Sequence, residues 1–555
     1  MFILAFVLGC VVDTTEAKDN FELRFMLKNR VPYKETGYFS KLICDYIDKN
    51  ENVSHLYGNF PDIEGFRKQI IEKGNQFSDN ARIMLFETLK GQYKEVNISE
   101  ETTQNISLLK KSNTYTITTG HQLNVFTGPM YFLYKIVSTI NLAKKLKENF
   151  PEENFVPVYW MATEDHDFEE INHLFLENKK VAWEVESSGP VGRKSTQTIE
   201  TVFEEFSSII GNNKNADKLK SLFKKSYVEQ KTLTEATKYL VNELFGETGL
   251  VIVDGDDKKL KSLLIPYVKK ELLESYAVKS IQETNTFLEK HYRLQVTPRE
   301  INFFYIEDTV RERIVFEDGL YKVNNTEIAF TKEEILTELN KNPEKFSPNV
   351  IMRPLYQEVV LPNLSYIGGG GELAYWLQLK ELFNSSNIPF PILMLRNSVL
   401  FTTEKLSKKL EKIGAGYPDL FLKQDILCKK TVKDCSTLEL SFQDQKNKLK
   451  AIFDELKPLI EQTDVTFKGA LEAQEKKQMK GIKNLEHRLQ RAEQRKHADL
   501  VTRIKAIQDA LFPRKGLQER NQNFATLYKF YGEEIFSELF ENLDPFDFRF
   551  YVLEL

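Results

Sequence analysis

Thr114–Lys147 reads TYTITTGHQLNVFTGPMYFLYKIVSTINLAKKLK, and this stretch decides the fold. Thr114–Thr119 is short and β-branched, which predicts a buried strand ended by Gly120. The loop HQLNVFTGP follows, and Met130–Lys147 then predicts a helix, with Pro129 suited to the first helical position. Phe155–Ala162 (FVPVYWMA) predicts a second strand that ends in the acidic loop TEDHDFEE. Strand, loop, helix and strand make a βαβ unit, so the class is α/β with a parallel sheet.

Further strands are expected at Gly249–Asp254 (GLVIVD), Glu358–Leu361 (EVVL) and Pro391–Leu395 (PILML). Residues 203–248 are helix-like and too long for a loop, and predict a helical insertion spanning about 177–248. Short alternating runs within 301–330 predict a small antiparallel insertion over about 300–345. Residues 31–111 read as mostly helical, with Phe39, Leu42, Ile43, Tyr46 and Ile47 on one face.

The texture changes near Thr402. Leu449, Ile452, Leu456 and Leu459 repeat at three- and four-residue steps, as do Ile482, Leu485, Leu489 and Ala492, and Leu500, Ile504, Ile507 and Leu511. This predicts a coiled coil over 401–511, folded back as an antiparallel pair and interrupted at Pro458 and Gln462–Asp464. The aromatic tail, 512–555, is expected to pack back on a core running over 26–400.

Composition narrows the class. Forty Phe and 23 Tyr in 555 residues exclude a disordered chain, and 25 Gly with 18 Pro exclude a collagen-like one. A net charge of −5 does not favour a general nucleic-acid binder. Residues 468–515 hold thirteen Lys or Arg against six Asp or Glu, which reads as a solvated coiled-coil face. A tRNA- or RNA-binding module that uses this basic stretch is the alternative. Four scattered cysteines (Cys10, Cys44, Cys428, Cys435) make no disulfide scaffold and fit a reducing cytoplasm. The apolar run at 1–12 lacks a preceding cation and is too short to span a membrane, so residues 1–25 are expected to be an extension before a start at Met26.

Three motifs can carry chemistry. In GHQLNVFTGPMY, Gly120, His121, Gln122, Asn124, Gly128 and Tyr131 form a loop opening onto a helix, where unpaired N–H groups could meet an anion, and Lys135 lies one turn in. In EDHDFEEINH, Asp165, His166 and Asp167 flank an imidazole with carboxylates at a strand end, suited to acid–base work or, with His173, to a metal. In IGGGGELAY, Gly369 and Gly370 precede Glu372 and Tyr375 in an open loop at a helix start. Arg353 and Arg396 could pair with carboxylates.

TGHQLNVFTGPMYFLYKIVS, VPVYWMATEDHDFEEINH, RPLYQEVVLP from Arg353 through GGGGELAYW, and LFPRKGLQERN resemble, in order and spacing, the bacillithiol biosynthesis cysteine-adding enzymes. The likeness covers nearly all of 31–555, although that family usually reads GQQ where this chain has Gly120-His121-Gln122. It implies a Rossmann-like core similar to class I aminoacyl-tRNA synthetases, a long coiled coil and a cytoplasmic homodimer without a membrane span. It implies a ligase joining L-cysteine to the glucosamine amine of glucosaminyl-malate; amide formation from a free carboxylate needs that carboxylate activated, and an acyl-adenylate made from ATP would do this. His166, Asp165 and Asp167 would then be catalytic. Gly120, His121, Gln122, Asn124, Gly128, Tyr131, Lys135, Gly369, Gly370, Glu372, Tyr375 and Arg353 would bind substrate or nucleotide. No metal ligands are assigned.

Overall fold

The computed structural model describes residues 26–463 and 465–555, so the 1–25 extension and Asp464 lie outside the described residues. At its centre lie five parallel strands: β1 (Thr114–His121), β2 (Asn154–Met161), β3 (Val251–Asp254), β4 (Asn363–Gly368) and β5 (Ile392–Leu395), in the order β5-β4-β1-β2-β3. That order is doubly wound, and its direction reverses between β1 and β4, where such sheets bind ligands at the carboxyl ends of the strands.

Every residue of β1 is buried. A buried threonine needs a partner for its hydroxyl. Thr116 and Thr118 donate to Asn363 Oδ1 at 3.1 and 2.8 Å, and Thr119 donates to the Ile367 carbonyl at 2.8 Å. The threonines that mark β1 as a strand thus also stitch it to β4. Helix α1 (Tyr131–Asn149) crosses from β1 to β2, starting two residues beyond Pro129.

Glu358–Leu361 is not a strand. Glu358–Val360 closes helix α2 (Met352–Val360), and β4 begins at Asn363 after Pro362. Met352, Leu355, Tyr356 and Val360 are all buried at helical spacing. A four-residue apolar run does not itself distinguish helix from strand. Glu358 is buried against Lys73 at 2.9 Å and accepts from Asn363, which ties the helix end to the strand that follows.

The four-glycine run is not a loop either. Gly368 ends β4, Gly369 caps helix α3 (Gly370–Trp376), and Gly370 and Gly371 form its first turn. A side chain at Gly370 would meet Phe39 at 3.3 Å, so this glycine admits the N-terminal helical layer.

The two insertions are helical (Glu200–Ile210, Lys214–Phe223, Leu233–Phe245) and antiparallel, the latter built on Phe303–Glu307, Val310–Glu317 and Leu320–Val323. Beyond Thr402, helix α4 (Gln443–Leu456) lies antiparallel to α5 (Val465–Lys496). Lys446 pairs with Glu486 at 2.6 Å, while Ser436 donates to Glu493 at 3.0 Å, so descending positions meet ascending ones. The expected apolar seam holds at Ile504, Ile507 and Leu511, which are buried, and is shifted along α4 and α5, where Phe453 and Leu471 are buried, whereas Ile452, Leu459 and Leu485 are 55%, 41% and 57% exposed. The tail returns to the core, where Arg549–Glu554 pairs with Met26–Pro32 and with Ser398–Thr402. Among the described residues no helix is long and apolar enough to cross a membrane.

Candidate active site

The reversal point between β1 and β4 carries a cluster of charge. Lys135, 2% exposed, reaches the Gly120 carbonyl and lies 2.8 Å from the Glu372 carboxylate. Glu372 also accepts from the Tyr366 hydroxyl and from the Gly369 N–H, both at 2.8 Å. Burial alone would raise the Glu372 pKa, but Lys135, Gly369 and Tyr366 outweigh it and hold the carboxyl at about 2. Glu372 is therefore an anion at any physiological pH and a poor proton acceptor.

Arg353 lies beside this pair. Its guanidinium donates to Gln357 at 3.2 Å and to the Tyr375 hydroxyl at 3.4 Å, and it lies over the Tyr366 ring at 5.6 Å. None of these partners is a carboxylate. Gly120 gives it room, since a side chain there would sit 3.3 Å from the Tyr366 hydroxyl and 3.6 Å from Arg353 Nη1. Arg396, by contrast, already has a carboxylate: it holds Glu519 through Nη1 and Nη2 at 3.1 and 2.6 Å, with both side chains buried.

His121 is buried between Tyr131 and Phe132, at ring distances of 5.5 and 5.0 Å, and its Nε2 has no hydrogen-bond partner. Burial, with the Lys135 charge second, lowers its pKa to about 3 and keeps the imidazole neutral.

The loop beyond His121 is strained. Phe126, Thr127 and Gly128 have φ of 46°, 66° and 60°, and a side chain at Gly128 would overlap Asn124 Cβ at 2.6 Å. A non-glycine residue in that region costs on the order of 1–3 kcal/mol and persists only where its surroundings enforce it. The enforcement comes from the tail. Asn523 Nδ2 donates to the Phe126 and Gly128 carbonyls, both at 2.7 Å, and Met130 N–H donates to the Gln522 carbonyl at 2.8 Å. Asn523→Ala strips two buried carbonyls of their donor. We expect it to lower unfolding free energy by about 2 kcal/mol or more in a denaturant titration, and a loss under about 0.5 kcal/mol would contradict this role.

The same hydrogen bonds bear on the expected anion cradle. The N–H groups of Phe126, Gly128, Met130, Phe132 and Leu133 all donate within the protein. These five amides are therefore spent within the protein, and side chains carry the positive charge at the site.

A cavity of about 310 Å³ opens here, lined by Gln122, Asn124, Gly128, Tyr131, Glu170, His173, Arg520 and Gln522 among others. Of the EDHDFEEINH motif, Glu170 and His173 line it, and Asp165 reaches it through Gln122, which donates to Asp165 and Glu170 at 2.8 and 2.9 Å. Hydrogen bonds from His166 and Gln122 overcome the effect of burial and hold Asp165 ionised, well below the usual carboxylate range. His166 and Asp167 do not line the cavity. His166 Nδ1 lies 2.6 Å from Arg311 Nη1 on the antiparallel insertion, and Asp167 is exposed. Among the described residues no group of three His, Cys, Asp or Glu could hold a metal ion.

Arg520, Gln522 and Asn523 were missed as site residues. Their one signal is that LFPRKGLQERN runs into them.

A doubly wound parallel sheet, a charged cleft at its reversal point and an antiparallel helical arm define a Rossmann-like α/β protein with a coiled-coil domain. Residues 26–397 match the family model described as bacillithiol biosynthesis BshC, N-terminal Rossmann-like domain, and residues 399–555 match the C-terminal coiled-coil domain of the same family. The chain belongs to the bacillithiol biosynthesis BshC family, a family of ligases. A Flavobacterium johnsoniae protein named "Putative cysteine ligase BshC" is 51% identical over 525 residues, covering 95% of this chain and 99% of that protein. Proteins of the same name from Christiangramia forsetii and Bacillus cytotoxicus are 50% and 28% identical, covering 95% and 88% of this chain and 99% and 94% of theirs.

Proposed function

We propose that this enzyme joins the carboxylate of L-cysteine to the glucosamine amine of glucosaminyl-malate, completing bacillithiol in the cytoplasm. One observation carries the reading. At the reversal point a fixed anion, Glu372, stands beside a guanidinium, Arg353, that has no carboxylate hydrogen-bond partner among the described residues. Amide formation brings together a carboxylate and an amine: Arg353 offers the first a counter-charge, and Glu372, already paired with Lys135, offers the second its remaining acceptor capacity.

Arg353 takes a substrate carboxylate. Glu372 holds the ammonium end of a substrate, since its low pKa suits it to pairing rather than to accepting a proton. Asp165, acting through Gln122, is a positioning residue. A free carboxylate has no good leaving group, and ATP supplies one. Arg520 in the cavity wall and Arg514, whose guanidinium lies over the Phe175 ring, are the groups that would hold its phosphates. The test is incubation of purified protein with ATP, cysteine and glucosaminyl-malate, with bacillithiol and AMP or ADP read by mass spectrometry. No product from folded protein, with cell extract added, would overturn the assignment.

The homodimer belongs to the same reading. Exposed Ile452, Leu459 and Leu485 lie on the arm, where apolar side chains call for a covering partner. Light scattering should give twice the chain mass, and Ile452→Asp with Leu485→Asp should halve it. A wild-type protein at one chain mass would contradict the dimer.

A further inference from the structure

The antiparallel insertion reaches the acidic loop through Arg311, on the strand Val310–Glu317. Its Nη1 lies 2.6 Å from His166 Nδ1. The insertion holds the guanidinium on its other sides. Nε donates to Ser347 Oγ at 3.3 Å, Nη2 donates to the Pro348 carbonyl at 3.4 Å, and the group lies over the Phe304 ring at 4.1 Å. A guanidinium can only donate, so His166 Nδ1 is the acceptor and the ring carries its hydrogen on Nε2.

The contact continues inward. The His166 N–H donates to Asp165 Oδ1 at 2.8 Å, and Gln122 Nε2 donates to Asp165 Oδ2 at 2.8 Å and to Glu170 at 2.9 Å. Gln122 and Glu170 line the cavity of about 310 Å³. An amide nitrogen has two hydrogens, and here two carboxylates take both. That decides which way round the Gln122 amide lies, and Oε1 is the group it has left for a ligand. Arg311 keeps this arrangement in two ways. Its charge favours the Asp165 carboxylate, and its bond occupies His166 Nδ1. Without it, that nitrogen is free to turn to Asp165 Oδ1, 3.6 Å away, and to draw the carboxylate from Gln122.

We propose that Arg311 is a positioning residue for the ligation: acting through His166 and Asp165, it fixes the Gln122 amide in the cavity wall. The antiparallel insertion is then a working part of the site. The assignment rests on the reading of this cleft as the place of ligation.

Arg311→Met keeps the length of the side chain and removes its charge and donors. It should lower kcat/KM about tenfold. His166→Phe, which removes the acceptor, should do the same, and Arg311→Lys should regain part of the loss. Arg313→Met, at an exposed position on the same strand, should change nothing. Gln122→Ala combined with Arg311→Met should lose no more than Gln122→Ala alone, because the effect of the arginine passes through that amide. A second readout needs no turnover. In protein labelled with ¹⁵N-glutamine, the side-chain signal that vanishes in Gln122→Ala should shift in Arg311→Met and His166→Phe and stay in place in Arg313→Met. Wild-type kcat/KM in Arg311→Met, additive losses in the double variant, or a Gln122 signal that neither variant moves would each overturn the proposal. A wild type that makes no bacillithiol, with the amide signal shifting as expected in the variants, would overturn the ligase reading and leave the positioning contact standing.

Discussion

Lys135→Met should abolish turnover and destabilise the fold by about 3 kcal/mol. Lys135 is buried and faces Glu372 at 2.8 Å. The Glu372 carboxyl is held at about 2, against about 4.3 for an unperturbed glutamate. At about 1.4 kcal/mol per unit of pKa, that difference is worth about 3 kcal/mol, most of it owed to Lys135. Removing one member of a buried pair leaves the other uncompensated, whereas removing both can be nearly neutral. Lys135→Met with Glu372→Gln should therefore regain most of the lost stability and none of the activity. Equal instability in single and double variants, read by thermal or denaturant unfolding, would show that packing rather than charge is at stake. The Glu372 contribution has its own pH window. A depressed carboxyl stabilises fully above the unfolded-state value near 4.3 and ceases to do so as pH falls through about 2.

His121→Gln should make the protein markedly more tolerant of mild acid. The imidazole is neutral with a pKa of about 3, against about 6.5 in the unfolded chain. Between those values the unfolded state binds a proton that the folded state refuses. Folding stability from this group is therefore complete above pH 6.5 and drains away as pH falls toward 3, by up to about 5 kcal/mol. Glutamine does not titrate, so the variant's stability curve should be flatter between pH 6 and 4 and equal or lower at pH 8. Superimposable pH profiles for the two proteins would show that His121 gains a proton without unfolding the loop.

Local rules made β1, β2, β3, β5 and α1 legible, because each is a run of uniform burial or uniform period bounded by glycine or proline. β4 was displaced onto the end of α2 because Val359, Val360 and Leu361 favour strand, while the helical spacing of Met352, Leu355, Tyr356 and Val360 goes unnoticed in so short a segment. The glycine run reads as a loop from its composition, whereas it ends β4 and opens α3. At the site, Lys135 and Glu372 were each identifiable, but their pairing was not, since 237 residues separate them. Arg396 looked available because its partner, Glu519, lies 123 residues downstream. The positive φ of Phe126 and Thr127 left no trace in residue type, since neither is glycine. His166 lies 3.6 Å from Asp165, as its sequence suggests, and also meets Arg311 on the antiparallel insertion, 145 residues away, which the sequence does not show.

The bonds from Asn523 to Phe126 and Gly128 also set a timetable. The two ends of the Gly128 contact are 395 residues apart. At about 5–20 residues per second, a ribosome that has made Gly128 needs roughly 20–80 s more to deliver Asn523. Through that interval β1, β2 and α1 can assemble, but the loop that walls the cavity has no clamp and no reason to hold its strained shape. The nascent chain is therefore inactive until nearly its last residues emerge, and the arm is already synthesised when the cleft closes. A ribosome that stalls anywhere in the arm releases a folded sheet without a working site.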